Sequence, residues 1–207
     1  LYKIFNNMDL PLVKVLGDME SNGICVDVDL LGEMSIEFEA RINEITQEVY
    51  SLAGHEFNIS STKQVATVLF EEQGLKSGKK TATGYSTDAS VLEALAPESE
   101  LVRKILEYRG LTKLKSTYVD SLPNEVNPYT NRIHTSFSQT TAATGRLATT
   151  SPNLQNIPTR TAEGKRIRSA FKPKEGCKFL ACDYYQLELR IMAHLNRDPK
   201  LIKAFNN

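Results

Sequence analysis

Cysteine is scarce in this 207-residue chain: Cys25, Cys177 and Cys182 are all there is, and their spacing matches no zinc motif. An odd count also speaks against a disulfide framework, so the expected compartment is a reducing one, the cytoplasm. No apolar run approaches the ~20 residues that cross a bilayer, and no signal-peptide pattern opens the chain, which excludes a membrane partner. No group of closely spaced acids occurs, and this weakens any reading as a metal-dependent nuclease. Internal repeats and low-complexity tracts are missing as well. The first residue, Leu1, is not an initiator methionine, from which the chain is expected to be part of something longer.

What is present is ordinary in amount and uneven in placement. Hydrophobic residues make up 41% and charged residues 24%, enough apolar material for one sizeable core or two small units. The net charge of zero hides an asymmetry. Residues 1–74 carry 13 acidic and 4 basic side chains, and residues 75–207 carry 12 and 21. The stretch from Arg146 to Lys174 holds seven basic residues against the single acid Glu163. Charge runs usually cover solvated faces. A density of this kind also suits a surface that faces a polyanion.

Apolar spacing and turn residues divide the chain. Leu12, Val15, Leu16 and Met19 predict a helix that stops at Asn22-Gly23, followed by a short alternating strand, ICVDVDLL. A long amphipathic helix is expected from Leu30 to Leu52, and a second one after Ser60 or Ser61, ending at Gly74. KSGKKTATGYST reads as a loop bearing Lys76, Lys79 and Lys80. Two more helices follow, DASVLEALA and Ser99 to about Leu122, closed by Pro123. Beyond it RIHTSFSQTT alternates like a strand and turns at Gly145, SPNLQNIPTR reads as a held loop, and GKRIRSAF as a short helix or turn. CKFLACD is expected to be a brief apolar strand ending on Asp183, with a new helix at QLELRIMAHL. The fold class is therefore α+β: a mostly helical subdomain ahead of a truncated antiparallel-sheet unit.

Three constellations carry chemistry. A strand that ends on Asp183 could present its carboxylate, a hard oxygen donor suited to Mg²⁺, or could simply cap the next helix. Asp198, before Pro199, reads as a turn or helix-start residue instead. TGRL at 144–147, PNLQN at 152–156 and Arg160 gather Arg, Asn and Gln, which donate hydrogen bonds to the N3 and O2 acceptors found in every base pair of a minor groove. Equally, Asn153, Gln155 and Asn156 could satisfy the backbone of their own loop. Arg109, Lys113 and Ser116 or Thr117 share one face of a helix that could follow a phosphate backbone or merely be wet.

TGRL, SPNLQNIPTR, GKRIRSAF and CDYYQLELRIMAHL, in this order and spacing, resemble the family A DNA polymerases, the bacterial DNA polymerase I group. STDASVLEALA and YRGLTKLKSTYVDSLP are similar to that family's thumb. The opening helix with NGICVD resembles the segment that joins its exonuclease-type domain to the polymerase. The resemblance implies a joining segment and base of the palm at 1–28, a helical thumb at 29–124 and the first part of the palm at 125–207. It implies Asp183 as one of two metal-binding aspartates, with the carbonyl of Tyr184 as a further ligand to two Mg²⁺ ions. Tyr184, Gln186, Leu187, Glu188 and Arg190 would meet the dNTP, with Glu188 crowding the sugar 2′ position. Arg146, Asn153, Gln155, Asn156 and Arg160 would hold primer and template near the growing end. Arg109, Thr112, Lys113, Ser86 and Thr87 would grip duplex backbone. The family's usual DYSQIE is DYYQLE here, so Tyr185 stands where a small serine is usual. The implied activity is template-directed DNA synthesis by the parent protein, with primer–template DNA, dNTP and the remainder of that polymerase as partners. The chain alone would be inactive. The alternative is a non-catalytic DNA-binding module.

Overall fold

The computed structural model describes residues 1–76, 80–81 and 84–206. Helices α1 (Tyr2–Ile4) and α2 (Leu10–Asn22), joined through a π-type turn at Phe5–Asp9, run into Gly23, which takes φ 59° and ends the helix. A Cβ there would lie 2.6 Å from the carbonyl oxygen of Ile133 and 2.8 Å from the His134 ring, so only glycine lets the chain pass. Strand β1 (Cys25–Val26) is shorter than the alternation suggests, because Asp27 leaves it to cap the next helix, accepting from the Leu30 N–H at 3.2 Å.

That helix, α3 (Val28–Ala53), is the spine of the larger unit. Its buried face splits along its length between two cores. Leu31, Met34 and Phe38 pack with Tyr118, Val119, Leu122, Ile133, Ile157 and Ile167. Ile45, Val49 and Ala53 pack with Ile59, Val65, Leu69, Leu92, Val102 and Ile105. Burying such a side chain contributes about 1.5–3 kcal/mol, so one amphipathic stripe holds both cores in register.

The second core gathers α4 (Thr62–Ala66), a π-type turn at Thr67–Glu72, α5 (Ala89–Leu95) and α6 (Glu100–Leu114). Ser61 and Ser99 cap α4 and α6 by accepting from Gln64 and Val102 N–H groups. Strand β2 (Lys80–Thr81) pairs with β3 (Gly84–Tyr85), and Lys79 of the basic loop lies outside the described residues. The helix expected from Ser99 to about Leu122 runs as α6 directly into a π-helical turn at Lys115–Val119, with right-handed helical backbone at Leu114, Lys115 and Asp120, and ends close to the expected place. Pro123 sits in the 3₁₀ turn that follows, Leu122–Glu125, where its missing N–H costs nothing and after which Val126 is extended.

Strand β4 (Ser136–Ser138) pairs antiparallel with β5 (Ala148–Thr150), with Phe137 opposite Thr149. Helix α7 (Ala162–Ser169) leads to β6 (Phe171–Lys172), which pairs with β1. Gly164 of α7 meets the loop so closely that a Cβ would stand 2.6 Å from the Pro158 carbonyl oxygen.

The chain divides into two compact units, Leu1–Lys172 and Pro173–Asn207. The second contains α8 (Leu187–Asn196) and α9 (Pro199–Asn206). Asp198 starts α9, its carboxylate accepting from the N–H groups of Lys200 and Leu201 at 2.8 and 3.1 Å. The strand expected at CKFLACD is not formed: residues 177–183 pair with no other strand among the described residues, and Phe179 and Leu180 are 59% and 89% exposed. A short apolar run makes a strand only where a neighbour accepts its ladder. Helices with, among the described residues, three small antiparallel ribbons make this an α+β fold. Among the described residues no helix is long and apolar enough to cross a membrane, and the three cysteines are free thiols.

Candidate nucleic-acid interface and metal-binding carboxylate

The loop 151–158 is held from beneath by hydroxyl groups. Thr135, 9% exposed, donates towards the carbonyls of Thr150 and Pro152 at 3.1 and 2.7 Å. Tyr118, 6% exposed, donates to the Asn156 carbonyl at 2.6 Å, and burial pushes its phenol up from the ordinary range. Thr149 donates to Asn153 Oδ1 and accepts from the Leu154 N–H, both at 3.2 Å. Leu154 and Ile157 turn into the core beside Tyr118. None of the three hydroxyls is conspicuous in the sequence; only the helical spacing that makes Tyr118 a core position hints at one of them.

Asn153 and Gln155 do satisfy their own loop. The Gln155 amide accepts from the Thr149 N–H at 3.2 Å and donates to the Leu147 carbonyl at 2.9 Å. Asn153 accepts from the Gln155 N–H at 3.0 Å. Both side chains are nonetheless exposed, as are Arg146, Asn156 and Arg160. The side chains of Asn156 and Arg160 make no hydrogen bond among the described residues. Of the five expected primer-end residues, Arg146 lies just before β5 and the other four lie between β5 and α7.

The basic stretch is less positive than its composition. Arg166 forms a bidentate pair with Glu37, at 2.6 and 3.2 Å, which holds the carboxylate below its usual range. Lys172 pairs with Asp27 and, with the Leu30 N–H, lowers that carboxylate too. Arg160, Lys165 and Arg168 are exposed and form no ion pair among the described residues.

The expected backbone-gripping set is partly committed inside the protein. Arg109 donates to the Thr87 carbonyl at 2.6 Å and to its hydroxyl at 3.3 Å, and burial lowers its pKa. Ser86 and Thr87 are buried, and Ser86 accepts from the Asp88 N–H. Thr112 Oγ1 is buried with no hydrogen-bond partner among the described residues. Lys113 is exposed.

Asp183, Tyr184, Gln186, Leu187, Glu188 and Arg190 all lie in the second unit, and all are exposed. Asp183 does not cap α8. The N-cap is Gln186, in the left-handed region at φ 52°, a conformation that costs an L residue roughly 1–2 kcal/mol. Its carbonyl accepts from the Arg190 N–H at 3.1 Å, and its side-chain amide donates to the Tyr185 hydroxyl at 3.1 Å. Tyr185 is 72% exposed, so its bulk meets solvent and not the packing that a serine would leave. Arg190 donates to the Tyr185 carbonyl at 2.9 Å and lies over the Phe205 ring at 4.9 Å. Glu188, in the first turn of α8, sits where a helix N-terminus favours negative charge. The Asp183 carboxylate and the adjoining Tyr184 carbonyl are hard oxygen donors of the kind Mg²⁺ accepts. No group of three or more acid, His or Cys side chains that could hold a metal occurs among the described residues, so the pair is an incomplete ligand set.

Comparison with known proteins places the chain in a family. The model of DNA polymerase family A matches residues 28–207. DNA polymerase I of Pseudomonas aeruginosa is 50% identical over 209 residues, covering 100% of this chain and 23% of its own length. A thermostable DNA polymerase I of Thermus thermophilus is 50% identical, covering 98% of this chain and 24% of its own length. The POL domain of Pol1 from M. smegmatis, solved in complex with DNA primer-template and dNTP, superposes with a TM-score of 0.89 at 45% identity, over 98% of this chain and 36% of that one. The chain thus spans about a quarter of the length of the curated relatives it matches. It belongs to DNA polymerase family A.

Proposed function

We propose that this chain is the part of a template-directed DNA polymerase that holds the primer end and supplies one of two metal-binding carboxylates. The observation that carries the reading is the match, over nearly the whole chain, to a polymerase domain solved with primer-template and dNTP. In the intact enzyme the primer 3′-hydroxyl attacks the α-phosphate of a dNTP in line, and pyrophosphate leaves. Asp183 and the Tyr184 carbonyl would hold a divalent ion, for which Mg²⁺ suits the oxygen donors. Two such ions, once bound, would activate the 3′-hydroxyl and offset charge on the leaving pyrophosphate. Gln186, Leu187, Glu188 and Arg190 flank the incoming nucleotide, and the Glu188 side chain disfavours a 2′-hydroxyl.

Arg146, Asn153, Gln155, Asn156 and Arg160 meet primer and template at the growing end, where donors to N3 and O2 accept any base pair yet sense its geometry. Lys113 follows the duplex backbone. Arg109 and Thr112 shape that surface from within, and Ser86 and Thr87 would contribute through their backbone. Residues 1–28 serve as the joining segment, 29–124 as thumb and 125–207 as the first part of the palm. The free thiols suit a reducing compartment such as the cytoplasm.

Primer extension is the test. An intact polymerase containing these residues loses incorporation by at least about 10³-fold on Asp183→Ala, several kcal/mol of transition-state stabilisation. The 207-residue chain alone incorporates nothing above its own Asp183→Ala control. Synthesis that survives the substitution in the intact enzyme would leave the chain with the other role, a non-catalytic DNA-binding module.

A further inference from the structure

Asparagine and glutamine side chains carry a donor at one end and an acceptor at the other, so a loop that reads minor-groove acceptors with amides must fix which end it presents. In this chain the neighbours of both amides decide the matter. The atom of Gln155 facing the Thr149 N–H must be the oxygen, because a backbone N–H can only donate. Its amide nitrogen then faces the Leu147 carbonyl, which can only accept, and one amide hydrogen remains uncommitted. Asn153 is fixed the same way by the Gln155 N–H at 3.0 Å, and additionally by the Thr149 hydroxyl at 3.2 Å. Its oxygen is occupied twice, and its amide hydrogens bond nothing among the described residues.

Thr149 is the common element. It is 4% exposed and sits on β5 opposite Phe137. Phe137 is itself tied to α2, its N–H donating to the Glu20 carboxylate at 2.6 Å. The Thr149 hydroxyl also accepts from the Leu154 N–H, which aims its hydrogen at Asn153 and not elsewhere. A hydroxyl that must receive from a backbone N–H has only its own proton to give, and the Asn153 oxygen takes it.

We propose that Thr149 is a positioning residue that holds the Asn153 amide with its oxygen inward, so that this amide turns N–H donors alone to the minor-groove edge of the primer–template. A donor-only face complements N3 and O2, the acceptors every correct pair places alike, and gains nothing from a pair that displaces them. The inference rests on the reading that this loop meets DNA; what it adds is a buried residue that never touches the nucleic acid yet sets how it is read.

The test uses an intact polymerase containing these residues and primer–templates in which 3-deazaguanine, whose N3 is a C–H, replaces guanine at each of the terminal primer and template positions in turn. The readout is the affinity penalty of the deaza duplex relative to its parent, a ratio within one variant that partial unfolding does not move. In the wild type at least one position carries a penalty of about tenfold, one hydrogen bond to a group held in place. Asn153→Ala removes the penalty at its position. Thr149→Val, which keeps the branched shape and loses the hydroxyl, reduces that same penalty to twofold or less, and Thr149→Ser, which keeps the hydroxyl, retains it. If Asn153→Ala abolishes the penalty while Thr149→Val leaves it intact, the positioning role is overturned and the DNA reading stands. If the wild type shows no penalty anywhere, the DNA reading itself fails and takes the inference with it.

Discussion

The loop at 151–158 and the segment at 173–186 each carry residues with a proposed role, one in each compact unit, and they are built in opposite ways. The first is irregular backbone tied at Thr135, Thr149 and Tyr118 by buried hydroxyls and pinned by Ile157 in the core. The second bears Asp183 on exposed backbone without a strand partner among the described residues, ending in the left-handed Gln186. Irregular chain can therefore be either the most or the least constrained part of a molecule. What decides is whether its carbonyls and N–H groups find fixed partners, since a loop so tied resists opening and a segment without partners belongs to the low-stability end of the structure. By this measure the chain itself preorganises the loop proposed to meet nucleic acid and leaves the carboxylate proposed to hold a metal to be ordered by something else.

The contrast can be broken most forcefully at Gly164. Alanine is ordinarily the better helix former by about 1 kcal/mol. Here its Cβ would press on the Pro158 backbone at 2.6 Å, and overpacking of that kind costs about 1–3 kcal/mol. Gly164→Ala is expected to lower stability by about 1–2 kcal/mol in urea denaturation, whereas Gly32→Ala, with nothing within 4 Å on α3, raises it by about 0.5–1 kcal/mol. Equal effects at the two glycines would show that the loop yields to α7.

A tyrosine pair sharpens the same point at smaller scale. Tyr118→Phe strands the Asn156 carbonyl and is expected to cost about 1 kcal/mol. Tyr184→Phe, at a side chain 79% exposed, should change stability by less than about 0.5 kcal/mol. Matching melting shifts would erase the distinction between the two segments.

The smallest effect concerns Lys172, the last residue of the first unit, which pairs with Asp27. The Lys172 hydrogen bond and the Leu30 N–H lower the Asp27 pKa in the folded protein. A lowered folded pKa means stability that is present above the ordinary carboxylate range and is lost as pH falls through the folded value. Asp27→Asn should therefore melt slightly below the wild type at neutral pH, with the gap closing as the pH drops below about 4. A gap that widens in acid would contradict the pairing.

Much of the fold is legible in the sequence. Asn22-Gly23 marks the end of α2 because no other residue accepts that backbone, and the stripe from Met34 to Val49 announces α3 through its period alone. The elements that depart from expectation are those settled by long-range partners. CKFLACD is apolar like a buried strand and is not one, because pairing is a property of two segments. Asp27 belongs to a helix cap and not to the strand its neighbours suggest. In the site, residue types name the donors Asn153 and Gln155, but not the Thr149 hydroxyl that orients one of them, since a lone threonine in a strand carries no local signal. Nor does any pattern show that Arg109 is spent on Thr87, a partner 22 residues away.

Duplex binding by the chain, followed by fluorescence anisotropy as salt is raised, tests the central claim most directly. Asn156→Ala combined with Arg160→Ala is expected to weaken primer–template binding about tenfold and to lower the log–log salt slope by about 1, whereas Asp183→Ala stays within about twofold of the wild type. A double variant that binds like the wild type, or an Asp183→Ala chain that loses its affinity, would place the DNA contacts elsewhere and contradict the account.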